Sequence, residues 1–192
     1  RTEALGGPLY DCDTCRDDHD RYHSCQNRPG PKCQNGQTHA WLENQQSLLR
    51  PVTHVMVTFT RPAELSAVAR RHQKTLDNIL FRSSSEALQE LALDPRFIGG
   101  RVAMVGVLHT WTRDLLYPPH LHDRVAGGGL SGAGHWLPSR EDVLVHVKPL
   151  SVIFQAKFRD QLKKTDLFAQ VDEHVWKKDW VVHCQPVGSG EQ

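Results

Sequence analysis

Four of the chain's five cysteines, Cys12, Cys15, Cys25 and Cys33, stand within its first 33 residues; the fifth is Cys184. Residues 1–38 are rich in Cys, Asp, Gly and Asn and hold almost no aliphatic run. Such a stretch cannot withdraw enough apolar surface from water to offset the entropy lost on ordering it. A bound metal supplies the missing stability in modules of this kind. Cys12-Asp13-Thr14-Cys15 has the two-residue spacing that lets two thiolates grip one zinc ion, and Cys25 and Cys33 complete a candidate tetrahedral four-sulfur site. His19 and His23 are spare nitrogen donors. No apolar leader precedes the cysteines, so the cluster reads as a metal site rather than a disulfide framework.

The remainder falls into a link and a core. Residues 39–50 read as a short helix that joins the zinc-binding module, 1–38, to a main domain over 51–192. Val52–Thr60 is β-branched and alternating and is stopped by Pro62, hence a strand. Residues 63–93 carry helical periodicity, with a break expected at Ser83-Ser84-Ser85. Arg101–Trp111 reads as a buried strand. The glycines at 127–129 and the run Ser131-Gly132-Ala133-Gly134 read as a turn-rich loop. Short strands are expected at His135–Pro138 and Val143–Val147. Helices follow over Leu150–Leu162 and near Leu167–Lys177, then a strand over Asp179–Cys184 and a flexible tail from Val187. This irregular alternation predicts an α+β domain with an antiparallel sheet. Charge is nearly balanced at +1, so nucleic-acid binding has to rest on local patches. No run of about 18 apolar residues exists, which excludes a membrane-spanning helix.

The chemistry concentrates in Pro119-His120-Leu121-His122. On a strand, residues i and i+2 face one side, so both imidazoles can reach one cation while Leu121 points into the core. His109 ends the preceding strand. It is either a third ligand or a core histidine bonded to a backbone carbonyl. Three nitrogen ligands leave open positions on Mg²⁺, Mn²⁺ or Zn²⁺, and an open cation can polarise a phosphate oxygen. His54 and His146 read as structural.

The ordered motifs are Tyr22-His23-Ser24-Cys25-Gln26-Asn27-Arg28, Pro31-Lys32-Cys33-Gln34, His54–Pro62, Leu108-His109-Thr110-Trp111, Pro119–His122 and Gly127-Gly128-Gly129-Leu130. Together they resemble the HUH-type rolling-circle transposases of bacterial insertion sequences, the IS-ninety-one group, with their N-terminal zinc-binding domain. The resemblance runs over essentially the whole chain. It implies an HUH-endonuclease-like antiparallel sheet with flanking helices, preceded by a zinc-ribbon-like module. It also implies a bacterial, cytoplasmic, nucleoid-associated protein acting on single-stranded DNA at transposon ends and targets. In that family a tyrosine hydroxyl attacks a phosphodiester, giving a 5′-phosphotyrosine and releasing a 3′-hydroxyl. The two HUH histidines, which hold a Mg²⁺ or Mn²⁺ ion, carry over as His120 and His122. His109 falls where similar proteins place His or Gln, and its spacing resembles the three-histidine site of conjugative relaxases.

Two departures stand out. Gly30-Pro31-Lys32-Cys33 has glycine where the family's zinc head has cysteine, and Pro29 stands where relatives often have His. The family's tyrosine motif lies on a helix beyond the strand matched by Trp180–His183, so the nucleophile is expected beyond Gln192 and the transposase core is expected to be incomplete at its C-terminus. Tyr117 precedes the histidine pair on a connector and reads as an aromatic wall.

Arg113, Lys157 and Lys163 are candidate phosphate contacts, with Trp111 or Trp136 for base stacking. A second reading is a zinc-dependent DNA-binding remnant without catalysis. A third is a metal hydrolase unrelated to DNA, for which Asp123 is the nearest acid/base carboxylate; strand alternation turns it away from the two histidines.

Overall fold

The structure is a computed structural model that describes residues 6–20, 35–47, 51–109, 120–140 and 144–189. The chain divides into two compact units, Arg1–Leu49 and Arg50–Gln192.

In the first unit, β1 (Leu9–Asp11) and β2 (Asp18–Asp20) form an antiparallel hairpin. Its connection carries Cys12 and Cys15. The turn is closed by the Arg16 N–H on the Cys12 carbonyl at 2.8 Å and the Cys12 N–H on the Asp17 carbonyl at 3.1 Å. Arg16 takes φ 60°, a left-handed step at the turn's end. Cys25 and Cys33 lie outside the described residues. Helix α1 (Asn35–Ser47) begins four residues before the expected link.

The second unit is a five-stranded antiparallel sheet with helices packed on one face. The strands are β3 (Thr53–Thr60), β4 (Arg101–His109), β5 (His120–Leu130), β6 (Trp136–Pro138) and β7 (Val181–Ser189), and the helices are α2 (Ser66–Arg71), α3 (Gln73–Leu93) and α4 (Val147–Leu162). Spatial order is β4-β5-β3-β7, with β6 paired to the far end of β5. One face of β3 and β5, built from Val55, Val57, Phe59, Leu121 and Val125, is buried. Leu76, Leu80, Leu88, Leu150, Phe154 and Phe158 of α3 and α4 join it in the core. Phe59 meets Phe154 at a ring separation of 4.9 Å, and Trp180 closes on Phe158 at 5.0 Å.

The structure corrects several expectations. The helical stretch breaks at His72, not at the serines; α3 runs straight through Ser83–Ser85. Ser83 and Ser84 are fully buried, and the Ser84 hydroxyl donates to the Phe81 carbonyl at 3.0 Å. This local bond satisfies the hydroxyl without interrupting the helix. Gly127–Gly129 lie inside β5 rather than in a loop. Close approach of backbone explains them: a Cβ on Gly127 would stand 2.6 Å from the Thr53 carbonyl oxygen, and one on Gly129 2.8 Å from that of Arg101. Of the strand expected at Val143–Val147, the described residues 144–147 form none. Leu144 and Val145 are bends buried in the core, and Val147 already opens α4. Leu167–Lys177 forms two 3₁₀ turns, Phe168–Gln170 and Glu173–Lys177, the latter capped by the Asp172 carboxylate accepting from the His174 N–H at 2.8 Å. Finally, β7 runs on through Val187 to Ser189 in place of a flexible tail.

Pairing between β4 and β5 slips between Val102 and Met104, where β5 carries extra residues. Gln89 of α3 stitches the irregularity, donating from Nε2 to the Val102 carbonyl at 2.7 Å and accepting the Val102 N–H at 3.2 Å. Among the described residues, no helix is long and apolar enough to cross a membrane.

Candidate metal centre

The register of three strands builds the site. His120 of β5 pairs with His109 of β4 and with Thr60 of β3; one step on, His122 pairs with Val107 and Thr58. Residues sharing a rung share a face. The three histidines therefore stand together on the face opposite the core, which no described helix of this unit covers. Leu121 between them is fully buried, as alternation requires.

Each of the three offers a ring nitrogen within 4.8 Å of the others. Ring centroids lie 4.4 Å apart for His109 and His122, 4.8 Å for His120 and His122, and 5.3 Å for His109 and His120. His109 is the most open of the three, at the strand end, and belongs to this cluster rather than to the core. Partial burial holds the His109 and His122 imidazoles below the ordinary histidine pKa, and the neighbouring imidazoles push the same way. The neutral imidazole is the metal-binding form. Three ring nitrogens converging without a carboxylate among them fit a divalent cation with positions left open for other ligands.

Thr58 is a residue that sequence reasoning misses. Its Oγ1 lies 3.2 Å from His122 Nδ1. With the proton on Nδ1 donated to Thr58, the Nε2 lone pair is free and the ring's rotation is fixed. Its only sequence signal is its place in an alternating strand. His183 of β7 faces Thr58 from the other side, one strand further from His122.

Asp123 faces away from the histidines, as alternation predicts. It is 2 % exposed, beneath β5 and against α3, and Gly106 leaves room for it: a Cβ there would clash with Oδ1. Burial pushes its carboxyl up to about 7, against a smaller opposing effect of Ser84. The Ser84 proton is already given to Phe81, so a neutral Asp123 can donate to Ser84 Oγ. Its Oδ2 has no hydrogen-bond partner among the described residues. The carboxyl cannot act on a group bound at the histidines, which removes the acid/base partner a generic hydrolase reading needs.

In the first unit, the Cys12 thiol is brought down to about 7, chiefly by hydrogen bonding from the Cys15 backbone and thiol and from Thr14. A turn that favours a thiolate suits a metal-binding knuckle. Cys184, half-buried on β7, has its thiol pushed up by burial. Lys157 belongs to α4 and Lys163 caps its C-terminus, in the helical layer on the other side of the sheet. Lys157 pairs with Glu90 at 2.6 Å; Lys163 reaches Asp160 at 3.7 Å and lies 6.0 Å from the Phe168 ring centre. Trp111, Arg113 and Tyr117 lie outside the described residues.

Comparison with known proteins adds the family. Residues 1–61 match the family described as "Transposase zinc-binding domain", and residues 103–192 match the family described as "Putative transposase". The whole chain aligns at 32% identity with "Putative transposase y4qJ" of Sinorhizobium fredii, of which it covers 53%. Seventy per cent of the chain aligns at 32% identity with "Transposase for insertion sequence element IS801" of Pseudomonas savastanoi pv. phaseolicola, of which it covers 32%. The chain thus spans about half the length of the first relative and a third of the second. Among solved structures, the metal-bound conjugative relaxase TrwC in complex with oriT DNA aligns with a TM-score of 0.43 at 18% identity, over 58% of this chain and 43% of that one. With a zinc-binding transposase domain at one end and a transposase domain at the other, the chain belongs to the insertion-sequence transposases of the IS91 group.

Proposed function

We propose that the chain binds single-stranded transposon-end DNA across the open face of the sheet and holds a scissile phosphodiester at His109, His120 and His122. This is the phosphate-positioning half of a nicking and strand-transfer reaction. The observation that carries the reading is the three-histidine cluster on a sheet face that no described helix of its own unit covers.

The three imidazoles would hold a Mg²⁺ or Mn²⁺ ion, which when bound supplies Lewis-acid polarisation of a phosphate oxygen. The chain's own residues do the rest. Thr58, hydrogen-bonded to His122 Nδ1, would hold the ring in place and, where Nδ1 carries the proton, leave the Nε2 lone pair for the cation. Arg124, two residues beyond His122 on the same face, makes no ion pair with a described acid and offers a guanidinium to the phosphate backbone. The sheet itself is rigid from its core side, and this fixes the spacing between these groups. The Cys12/Cys15 knuckle, with Cys25 and Cys33, would hold zinc and add a second DNA-contacting module.

The test is titration of Mn²⁺ and of a fluorescent single-stranded oligonucleotide into the full chain and into a His120→Ala/His122→Ala variant. The expected result is Mn²⁺ binding that tightens DNA binding in the wild type, with both effects lost in the variant. DNA binding that is indifferent to Mn²⁺ and to the substitutions would favour the zinc-dependent DNA-binding remnant. Absence of DNA binding by the wild type overturns both readings.

A further inference from the structure

The open face continues past the histidines. Along β5, His120, His122, Arg124 and Ala126 occupy the same side, and the strand runs on to Leu130. At that far end the face sinks into a hollow of about 600 Å³, mainly apolar, whose walls include Trp136, Leu130, Ala126, Val52 and Arg101. Its size falls within the range of small-molecule sites. Arg101, Leu130 and Trp136 share one rung, since Leu130 pairs with both of the others.

The floor is shaped for a ring. A Cβ on Gly128 would collide with the Trp136 indole and stand 2.6 Å from the Leu137 carbonyl oxygen. Gly128 therefore lets the indole lie down on the strand. Trp136 remains 41% exposed and Leu130 51%, an unfavourable arrangement for a surface with no partner. Arg101 stands at the rim and has no ion pair with a described acid, so the hollow combines a flat aromatic surface, an apolar wall and a guanidinium. A stacked base beside its own phosphate needs that combination. An apolar protein side chain would use the wall but neither the guanidinium nor the flat ring.

We infer that this hollow is a nucleobase-stacking subsite, in which Trp136 takes one base of a single strand and Arg101 its phosphate. The inference rests on the proposed function, because the strand is the one whose scissile phosphate sits at the histidines. Ala126 is four residues from His122 and Gly128 six. At about 3.4 Å per residue the hollow is roughly 14–20 Å from the histidines, on the order of four to six stacked nucleotides. Arg124 lies between, on the same face, and makes the path continuous in charge.

The test uses the full chain and two fluorescently labelled single strands of equal length, one of thymidines and one of abasic sites. Trp136→Ala is expected to lose roughly tenfold affinity for the thymidine strand, the scale of one stacked base, and to bind the abasic strand as the wild type does. Trp136→Phe, which keeps a ring, is expected to retain most of the affinity. An unchanged thermal midpoint and circular dichroism spectrum in both variants shows that the sheet is intact. If Trp136→Ala binds thymidines like the wild type while Mn²⁺-dependent binding persists, the subsite is wrong and the histidine reading stands. Equal losses on both strands also overturn it, since the residue would then act on the backbone. A wild type that binds neither strand overturns both readings. A change in sedimentation on Trp136→Ala with DNA affinity unchanged would identify the hollow as a contact between copies and overturn the subsite.

Discussion

At the scale of single residues, the centre depends on proton placement. Thr58 Oγ1 lies 3.2 Å from His122 Nδ1, and accepting a proton there would leave Nε2 free for a cation. Thr58→Val keeps the shape and removes the acceptor. Loss of such a supporting bond typically costs 10–100-fold in metal affinity, so calorimetric titration of Mn²⁺ should show a drop of about that size, and Thr58→Ser should restore it. The histidines also set a pH dependence. His109 and His122 are held below the ordinary value of 6.5, so between that value and their folded-state pKa the unfolded chain binds more protons. Their contribution to stability is complete above about 6.5 and is lost as pH falls through the folded pKa; metal affinity falls in the same direction, because protons and cation compete for one lone pair. Asp123 has the opposite sign. With its carboxyl raised from 3.8 to about 7, the folded chain holds the extra proton, and stability declines as pH rises through that window. Each tenfold difference in proton affinity between the folded and unfolded chain is worth about 1.4 kcal/mol, so Asp123→Asn should match the wild type near pH 4 and exceed it by a few kcal/mol at pH 8. Urea denaturation across that range measures the difference; a gap that does not widen with pH would mean that Asp123 is ionised in the fold.

At the scale of elements, β5 does most of the organising, and it is legible only in part. Its first half follows from the sequence alone, because His120-Leu121-His122 alternates and alternation places two imidazoles on one side and Leu121 and Asp123 on the other. Its second half does not. A run of three glycines signals a turn when local propensity is all there is, and the reason for glycine here is the nearness of Thr53, Arg101 and Trp136, residues far away in sequence or across a turn. The buried serines of α3 mislead for the same reason: Ser84 faces the buried Asp123, which no local pattern reveals. Thr58 is invisible because a threonine in an alternating strand needs no further explanation. The glycine account can be checked directly. Gly128→Ala drives a methyl into the indole and toward the backbone oxygen of Leu137, neither of which can yield without breaking the β5–β6 pairing, and overpacking of this kind costs about 1–3 kcal/mol. Gly132, in the following turn, has nothing within 4 Å of its would-be Cβ and a φ that other residues adopt. Gly132→Ala should therefore leave stability in urea unchanged within about 0.5 kcal/mol. Equal effects at the two positions would refute the close-approach account of the strand.

At the scale of the whole molecule, the two units are stabilised by different physics. The unit over Arg50–Gln192 has a continuous apolar core in which Phe59, Leu121, Phe154 and Phe158 are fully excluded from solvent. Among the described residues of the unit over Arg1–Leu49, Cys12 and Gln45 are half-buried and every other one with an assigned exposure is exposed. Burial in those residues is too slight to offset ordering entropy of about 1–2 kcal/mol per residue, so a metal held at the cysteines, as proposed, would carry the burden. A chelator should therefore act on one unit and spare the other. In hydrogen exchange on the zinc-loaded full chain, addition of a strong chelator is expected to collapse protection at β1, β2 and the Cys12–Cys15 turn to the level of unfolded peptide. The amides of β3, β5 and α3 should keep their protection, because global opening of the second unit is governed by its own core. Restoring zinc should restore the first unit, and Cys12→Ser should reproduce the chelated pattern without any chelator. If β1 and β2 stay protected after the metal is removed, the module folds on contacts other than those to zinc. If β3 and β5 lose protection together with β1 and β2, the chain unfolds as one cooperative body and the division at Leu49 does not describe its stability.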